Sequence, residues 1–176
     1  MLYQCYDAAS TGQSYKRILD QIKKRYTDII DGLELNLNLD FEFSKIEENF
    51  LNKVGRDYAA SRGEYLNGLI MSNYLGFTFV DAADVIRFDA DGNFLSEETN
   101  EEMREHLASL KQAVIPGFYG AKPDGTIHTF SRGRLLVFST IMVPGSSGRF
   151  VLRMLIGIPS FLTGKIASSW RTLAPM

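Results

Sequence analysis

The sequence predicts an α/β protein whose first 75 residues are mainly helical. Two observations support this fold class. Apolar residues recur at steps of three and four along the first 75 residues, which is the spacing of amphipathic helices. From Phe77 onward the pattern changes to short runs rich in β-branched and aromatic residues, with one helical segment between them and glycines after them. A strand, a helix and a second strand in this order are typical of a parallel sheet.

Composition is that of an ordinary soluble globular protein. The 176 residues are 45% hydrophobic and 23% charged, with a formal net charge of −2, and a chain of this length can bury one sizeable core. The weakly acidic balance argues against nucleic acid as a main partner, because binding phosphates needs a basic face. A single cysteine, Cys5, fits a reducing compartment. No signal peptide and no apolar run long enough to cross a membrane is recognisable, so we expect a cytoplasmic protein without a membrane partner.

Three helices are predicted before the longest one. Residues 1–12 have the pattern of a helix closed by Gly12, and Ser14 is a candidate N-cap for a helix over residues 15–30. Residues 33–39 alternate leucine with polar residues. The alternation alone favours a strand, but the helices on both sides lead us to expect an extended connection. Asp40 then opens a helix over about residues 41–53.

The stretch RDYAASRGEYLNGLIMSNYLGFTFVD, residues 56–81, predicts a long helix, a glycine stop and a strand. Apolar side chains at helical spacing give the helix one apolar face. Gly76 can end it in a left-handed conformation, and residues 77–80 favour a strand that ends at Asp81. Gly63 lies inside the helix, where glycine costs about 1 kcal/mol relative to alanine. We therefore expect a packed strand or a ligand to approach that turn closely.

The rest of the α/β part is predicted as short strands and turns around one helix. In chain order we predict a strand at residues 85–88, a turn at 89–93, a helix at about 100–110, a buried strand at 113–116, a turn at 123–125 and a strand at 126–130. The first turn lacks the glutamate that ends a calcium loop, so we expect no calcium there. Ligands of parallel sheets bind beyond the carboxyl ends of the strands. The candidate binding loops are therefore residues 117–120 and 131–133.

Four blocks of this sequence resemble bacterial aspartate kinases. They are YAASRGEYLNG at residues 58–68, DAADVI at 81–86, AVIPGFYG at 113–120 and TFSRG at 129–133. Their order and spacing are similar to those of the family, and the helical opening resembles the family's helical insert. The resemblance implies the amino acid kinase fold, a three-layer α/β/α sandwich, here incomplete. Residues 1–133 would be part of the catalytic domain, with residues 1–75 mainly helical and residues 76–133 α/β.

The resemblance also implies a reaction and its ligands. Aspartate kinases transfer the γ-phosphoryl group of ATP, with Mg2+, to the side-chain carboxylate of L-aspartate. The product, 4-phospho-L-aspartate, begins lysine, threonine and methionine biosynthesis. Such a transfer depends mainly on positioning and on charge stabilisation. The expected ligands are therefore L-aspartate, ATP and Mg2+, and members of the family are homo-oligomers.

Two residues match substrate-binding positions of the family. Glu64 matches the glutamate that binds the substrate, and its carboxylate suits the α-ammonium group of aspartate. Arg132 matches the arginine that holds a substrate carboxylate, which a planar guanidinium can bind through two hydrogen bonds. Without the resemblance, each would more simply be a surface side chain. His106 and His128 match no motif, and we expect a solvated helix residue and an outward-facing strand residue.

The sequence departs from the family's pattern in two places. The 176 residues contain no Lys-Phe-Gly-Gly-Ser segment, whose lysine meets the transferred phosphate in the family, and Met1 corresponds to a point within the family's first third. After Gly133 the family continues with Gly-Ser-Asp, whereas this chain continues with Arg134 and two leucines. We therefore expect little or no phosphoryl transfer by this chain. The alternative function is a non-catalytic aspartate-binding or interaction module.

Residues 134–176 differ in composition from the rest of the chain. Residues 1–133 hold 14 basic and 21 acidic residues, whereas residues 134–176 hold five basic and no acidic residues. Since soluble domains keep charges of both signs, we hypothesise a frameshift. One set of codons for residues 169–173, TCA TGG CGG ACC CTC, encodes Met-Ala-Asp-Pro in another frame, a string typical of the family. The competing interpretation is a tail that contacts a membrane surface or a partner, although it shows no amphipathic period.

Overall fold

A computed structural model describes residues 1–130 of the chain. The predicted tail at residues 134–176 and the candidate loop at 131–133 lie outside the described residues. The helices of the described part are α1 (Leu2–Ser10), α2 (Lys16–Gly32), α3 (Asp40–Leu51), α4 (Arg56–Leu75), α5 (Ala82–Val85) and α6 (Ser96–Leu107). Its strands are β1 (Thr78–Phe79), β2 (Ala113–Val114), β3 (Tyr119–Ala121) and β4 (Ile127–Thr129).

Two small sheets form in this part of the chain. Strand β1 pairs with β2 in parallel, and the connection between them contains α5 and α6. Strand β3 pairs with β4 as an antiparallel hairpin. The parallel pair confirms the predicted strand, helix and strand order. Mixed helices and small sheets are thus established for residues 1–130, whereas the three-layer sandwich stays an expectation.

The N-terminal helices α1, α2 and α3 pack with α4 around one apolar core. The predicted helices form within two residues of the expected starts and ends, because their apolar residues recur at helical spacing. The predicted cap at Ser14 is wrong: Tyr15 is the N-cap of α2, and no side chain caps that end. Residues 33–39 form the expected connection without a strand. Leu39 is buried there, since the leucines pack against the helical core.

Helix α4 lies between the N-terminal helices and the strands. It contacts α1 as well as β1, β2 and β4. Its burial is therefore wider than the single apolar face predicted, and the polar residues Ser61, Arg62 and Ser72 are buried along with the apolar ones. Gly76 ends the helix with φ +67° and ψ 27°, the left-handed conformation expected of a glycine at that position.

Two glycines of α4 differ in what lies against them. A Cβ added at Gly63 would lie 3.5 Å from Leu2 Cδ1, an ordinary van der Waals contact with α1. The packed strand expected at that turn is therefore wrong, whereas a ligand there stays a prediction. The strand approaches at Gly68 instead. A Cβ there would lie 2.9 Å from both Phe79 Cε2 and Pro116 Cγ.

The segment after β1 differs from its predicted structure. The strand expected at residues 85–88 is wrong, because α5 forms first and ends at Val85. The Asp81 side chain caps α5 by accepting a hydrogen bond from the Ala83 N–H at 3.0 Å. Beyond α5 the chain pairs only through isolated bridges at Arg87 and Phe88. The capping aspartate, rather than the apolar run that follows, decides the local structure here.

Apart from β3, which forms where a loop was expected, the remaining elements follow the predicted order with shifted bounds. Helix α6 begins four residues earlier than expected and buries Met103 and Leu107. The predicted turns contain Gly92 and Gly125, whose φ values are +87° and +80°. A second apolar core lies beneath α5, α6 and the strands. Within residues 1–130, none of the helices combines the length and the apolar character needed to span a membrane.

Candidate functional site

Glu64 lies on the third turn of α4, on the side that faces α2, and it is half-buried. On α2, Tyr26 lies close enough to Glu64 for the two side chains to interact electrostatically. Burial raises the pKa of Tyr26 to about 12, and the negative charge of Glu64 contributes to that rise. The Tyr26 hydroxyl donates a hydrogen bond of 3.3 Å to the Gly63 carbonyl, next to Glu64 in the chain. The carboxylate expected to bind aspartate therefore lies on a turn that α2 supports.

Arg132, the second predicted substrate residue, lies outside the described residues, as do Ser131 and Gly133. The binding of a substrate carboxylate by Arg132 stays a prediction. The described chain leads toward it through β4 and Phe130, whose N–H donates to the Phe118 carbonyl at 2.8 Å. The residues just before Arg132 thus contact the other candidate loop.

The carboxyl ends of the parallel strands β1 and β2 carry the next polar features. Asp81 follows β1 after one residue, and the loop of residues 115–118 follows β2. Phe118, which ends this loop, has φ +76°, a conformation that residues other than glycine rarely adopt. Such strained residues are held in place by their surroundings and concentrate at binding sites. The predicted binding loop at residues 117–120 therefore contains a strained residue, although β3 forms its second half.

Tyr119 connects that loop to the end of β1. Its side chain is fully buried, and its hydroxyl donates a hydrogen bond of 2.6 Å to Asp81 Oδ1. Burial raises the pKa of Tyr119, and the charge of Asp81 raises it further. The hydroxyl therefore stays protonated and available as a donor. Sequence reasoning identified Asp81 as the acidic end of a strand but missed its partner, which lies 38 residues further along the chain.

Arg62 is a buried cation next to these residues. It is 6% exposed, and its guanidinium donates from Nε and Nη2 to Ser61 Oγ at 3.1 and 3.0 Å. The centroids of three tyrosine rings lie around Arg62 Cζ: Tyr65 at 4.4 Å, Tyr58 at 4.5 Å and Tyr119 at 5.5 Å. Cations are attracted to the faces of such rings. The sequence marked Arg62 only as part of a motif, since its burial depends on residues from separate elements.

A further hydrogen bond connects α4 to α3. The Tyr65 hydroxyl donates to Glu42 Oε2 at 2.9 Å, and the Tyr65 ring meets Phe79 of β1 edge-on at 5.3 Å. Burial is the largest cause of the raised pKa of Tyr65, followed by the hydrogen bond to Glu42. Tyr65, which follows Glu64 in the chain, thus contacts both α3 and β1.

The two histidines differ from each other in their surroundings. His106 is an exposed residue of α6, as expected, and lies near Glu102. His128 is not the outward-facing residue predicted, because it is half-buried and its Nδ1 lies 3.0 Å from Asp57 Oδ2. Its ring also meets Phe88 edge-on at 4.9 Å. His128 therefore joins β4 to the first turn of α4.

The nucleotide side of the expected site is not represented in the described residues. Residues 1–130 hold no group of three or more histidine, cysteine, aspartate or glutamate side chains placed to bind a metal ion. The sequence contains no lysine-glycine phosphate loop of the family's type.

Similarity to known proteins is found among solved structures. No protein family model matches the sequence, and no match is found among curated proteins. Among solved structures, the aspartate kinase of Clostridium acetobutylicum is 42% identical, with a TM-score of 0.71. The match covers 75% of this chain and 30% of that chain, so the chain corresponds to less than a third of that enzyme's length. The chain therefore resembles part of an aspartate kinase along three quarters of its length. This similarity confirms the resemblance indicated by the four sequence blocks.

Proposed function

We propose that residues 1–133 are part of an aspartate kinase catalytic domain and carry part of its L-aspartate site. The likeness to the Clostridium acetobutylicum aspartate kinase supports this proposal most strongly. In the complete enzyme the reaction would be phosphorylation of the aspartate side-chain carboxylate, with ATP and Mg2+, in a cytoplasmic homo-oligomer. ATP and Mg2+ would supply the phosphoryl group and its charge neutralisation.

Within this site we assign Glu64 to the α-ammonium group of aspartate. Glu64 is half-buried on α4, where the Tyr26 hydroxyl holds the adjacent Gly63 carbonyl. A carboxylate at a partly desolvated position binds an ammonium group more strongly than one in open water. Arg132 would bind a substrate carboxylate through two hydrogen bonds, and the strained loop that ends at Phe118 would line the same site.

Aspartate binding to the purified 176-residue chain tests this assignment. Glu64→Gln keeps the shape of the side chain and removes its charge, so we expect L-aspartate affinity to fall about tenfold or more. Glu97→Gln, an exposed position in the first turn of α6, is the matched control and should bind as the wild type does. Isothermal titration calorimetry measures both.

Succinate sharpens the test because it keeps both carboxylates of aspartate and lacks the ammonium group. If Glu64 binds that group, succinate should bind weakly and equally to the wild type and to Glu64→Gln. An equal loss of aspartate and succinate affinity in Glu64→Gln would contradict the assignment. It would indicate instead that the variant disturbs the helix.

The alternative function, a non-catalytic aspartate-binding or interaction module, is favoured by two features of the sequence. The 176 residues lack the Lys-Phe-Gly-Gly-Ser segment, and Gly133 is not followed by Gly-Ser-Asp. We expect little or no aspartate-dependent ADP formation by this chain for the same reason. Measurable ADP formation would overturn that expectation, whereas saturable aspartate binding without turnover would favour the module.

Sequencing the gene and its flanks distinguishes between the two proposed functions. If the flanks encode Lys-Phe-Gly-Gly-Ser upstream and Gly-Ser-Asp in a shifted frame downstream, the chain is a broken or misread copy of a full aspartate kinase. If residues 134–176 are confirmed with no kinase sequence around them, the module becomes the better proposal. The search for a partner would then begin at residues 134–176.

A further inference from the structure

We propose that Tyr119 and Asp81 are positioning residues, whose hydrogen bond holds the loop of residues 115–118 in its strained conformation at the substrate edge of the β1–β2 pair. The inference rests on the proposed function, in which this loop lines the aspartate site. Neither residue needs to touch the substrate. Their role is to fix the backbone that does.

The loop requires an anchor because of its conformation. Phe118 has φ +76°, and a residue with a side chain keeps that conformation only where its surroundings determine it. Ile115, Pro116 and Gly117 are buried, and Phe118 is half-buried. The next residue in the chain, Tyr119, is therefore well placed to transmit a restraint to Phe118.

The restraint is a buried hydrogen bond to a fixed carboxylate. The Tyr119 hydroxyl donates to Asp81 Oδ1 at 2.6 Å, from a side chain with no exposed surface. The same oxygen accepts the Ala83 N–H at 3.0 Å and caps α5. Hydrogen bonds to a charged acceptor are stronger than neutral ones. Asp81 is therefore held by the start of α5, and Tyr119 is held by Asp81.

Backbone contacts hold the other side of the loop. Gly120 lies so close to Ile86 that an added Cβ would be 2.5 Å from the Ile86 carbonyl oxygen. The Phe118 carbonyl accepts the Phe130 N–H at 2.8 Å. With the backbone fixed at Gly120 and Phe130, the Tyr119 hydroxyl connects the loop to Asp81 at the end of β1.

Tyr119→Phe tests the proposal, with Tyr58→Phe as the matched control. Both tyrosines are buried and both rings lie over the Arg62 guanidinium. The Tyr58 hydroxyl accepts from Asn49 Nδ2 at 2.8 Å, and that bond involves no residue of the loop. Each variant thus removes one buried hydroxyl beside the same cation, but only one of them releases the loop.

Hydrogen exchange of single amides, measured by NMR, reports the loop directly. The Phe130 amide donates to the Phe118 carbonyl, and the Val80 amide, which donates to the Val114 carbonyl, reports the β1–β2 pair. We expect Tyr119→Phe to accelerate exchange at Phe130 about tenfold or more and to leave Val80 unchanged. Its L-aspartate affinity should fall about tenfold, whereas Tyr58→Phe should match the wild type in all three measurements.

The outcomes separate this inference from the proposed function. If the wild-type chain does not bind aspartate, the proposed function fails, while exchange at Phe130 still decides whether the bond holds the loop. Unchanged exchange at Phe130, or faster exchange with unchanged aspartate affinity, would overturn the positioning role. If Tyr119→Phe does not fold, Asp81→Asn replaces the charged acceptor by a neutral one. It should accelerate exchange at Phe130 to a smaller extent, and no acceleration would also overturn the inference.

Discussion

The two glycines inside α4 should respond in opposite directions to replacement by alanine. Both lie in the interior of the same helix, where alanine is favoured over glycine by about 1 kcal/mol. At Gly63 the new methyl group would meet only Leu2 Cδ1, at an ordinary 3.5 Å. We therefore expect Gly63→Ala to raise the free energy of unfolding by about 0.5–1 kcal/mol.

Gly68→Ala introduces the same methyl group into a packed space. It would lie 2.9 Å from ring atoms of Phe79 and Pro116, closer than real Cβ atoms approach their neighbours. The Pro116 ring is bonded to its own backbone and the Phe79 ring packs edge-on against Tyr65, so the helix or the β1–β2 pair has to move. Overpacking of this kind destabilises by about 1–3 kcal/mol. After the propensity gain, Gly68→Ala should be destabilised by about 0–2 kcal/mol.

The difference between the two variants isolates the packing effect, because the propensity gain is common to both. That difference should be about 1–3 kcal/mol. Urea unfolding followed by circular dichroism measures it, and for a slope of about 2 kcal/mol per molar it corresponds to midpoints that differ by roughly 0.5–1.5 M. If Gly68→Ala is as stable as Gly63→Ala, the close approach of β1 and the loop after β2 to α4 is wrong.

Two further predictions concern buried groups of the helical half. Burial raises the pKa of the Cys5 thiol from 9.0 to about 11. At pH 8 a thiol-specific reagent should therefore label the native chain far more slowly than the chain unfolded in urea. Equal labelling rates would contradict the burial of Cys5. Arg62→Lys removes the planar guanidinium from its tyrosine rings and from Ser61, and should lower the free energy of unfolding by about 1–2 kcal/mol. Arg56→Lys is its control, since the exposed ion pair of Arg56 with Asp7 contributes about 1 kcal/mol or less. If urea unfolding shows equal losses of free energy of unfolding for the two variants, the contribution of the buried contacts is refuted.

The sign of the Cys5 effect can be followed with pH. A thiol whose pKa is higher in the folded chain than in the unfolded chain favours the folded state while it is protonated. That contribution is complete below pH 9 and is lost as the pH rises toward 11. The same reasoning explains the labelling result at pH 8, because the thiolate that reacts is scarce in the native chain.

Local signals explain which elements could be predicted. The end of α4 at Gly76 and the turns at Gly92 and Gly125 depend on positive φ values that glycine adopts without strain. The helical segments depend on apolar spacing, which is visible within a short stretch. The prediction of a strand at residues 85–88 was wrong because an apolar run favours a strand only where no N-cap residue starts a helix before it. Here the Asp81 side chain caps α5.

The candidate site was predictable only in part. The motif around Glu64 predicts a substrate residue, and the rule for parallel sheets predicts a binding loop that contains Phe118. The resemblance itself is confirmed by a structure that is 42% identical. The roles of Glu64 and Arg132 stay predictions, since Arg132 lies outside the described residues. The contact of His128 with Asp57 was missed because it joins residues far apart in the chain.

The sequence by itself determined most of the helices, the parallel strand pair, the glycine ends of the elements and the likeness to aspartate kinases, because each is encoded in contiguous residues. Only the tertiary structure decided which polar groups are buried and with which partners. The Tyr119 hydroxyl and Asp81 are 38 positions apart in the sequence, and Arg62 is enclosed by rings from α4 and β3. Such contacts depend on the packing of elements that are distant in the chain, and no local pattern records them.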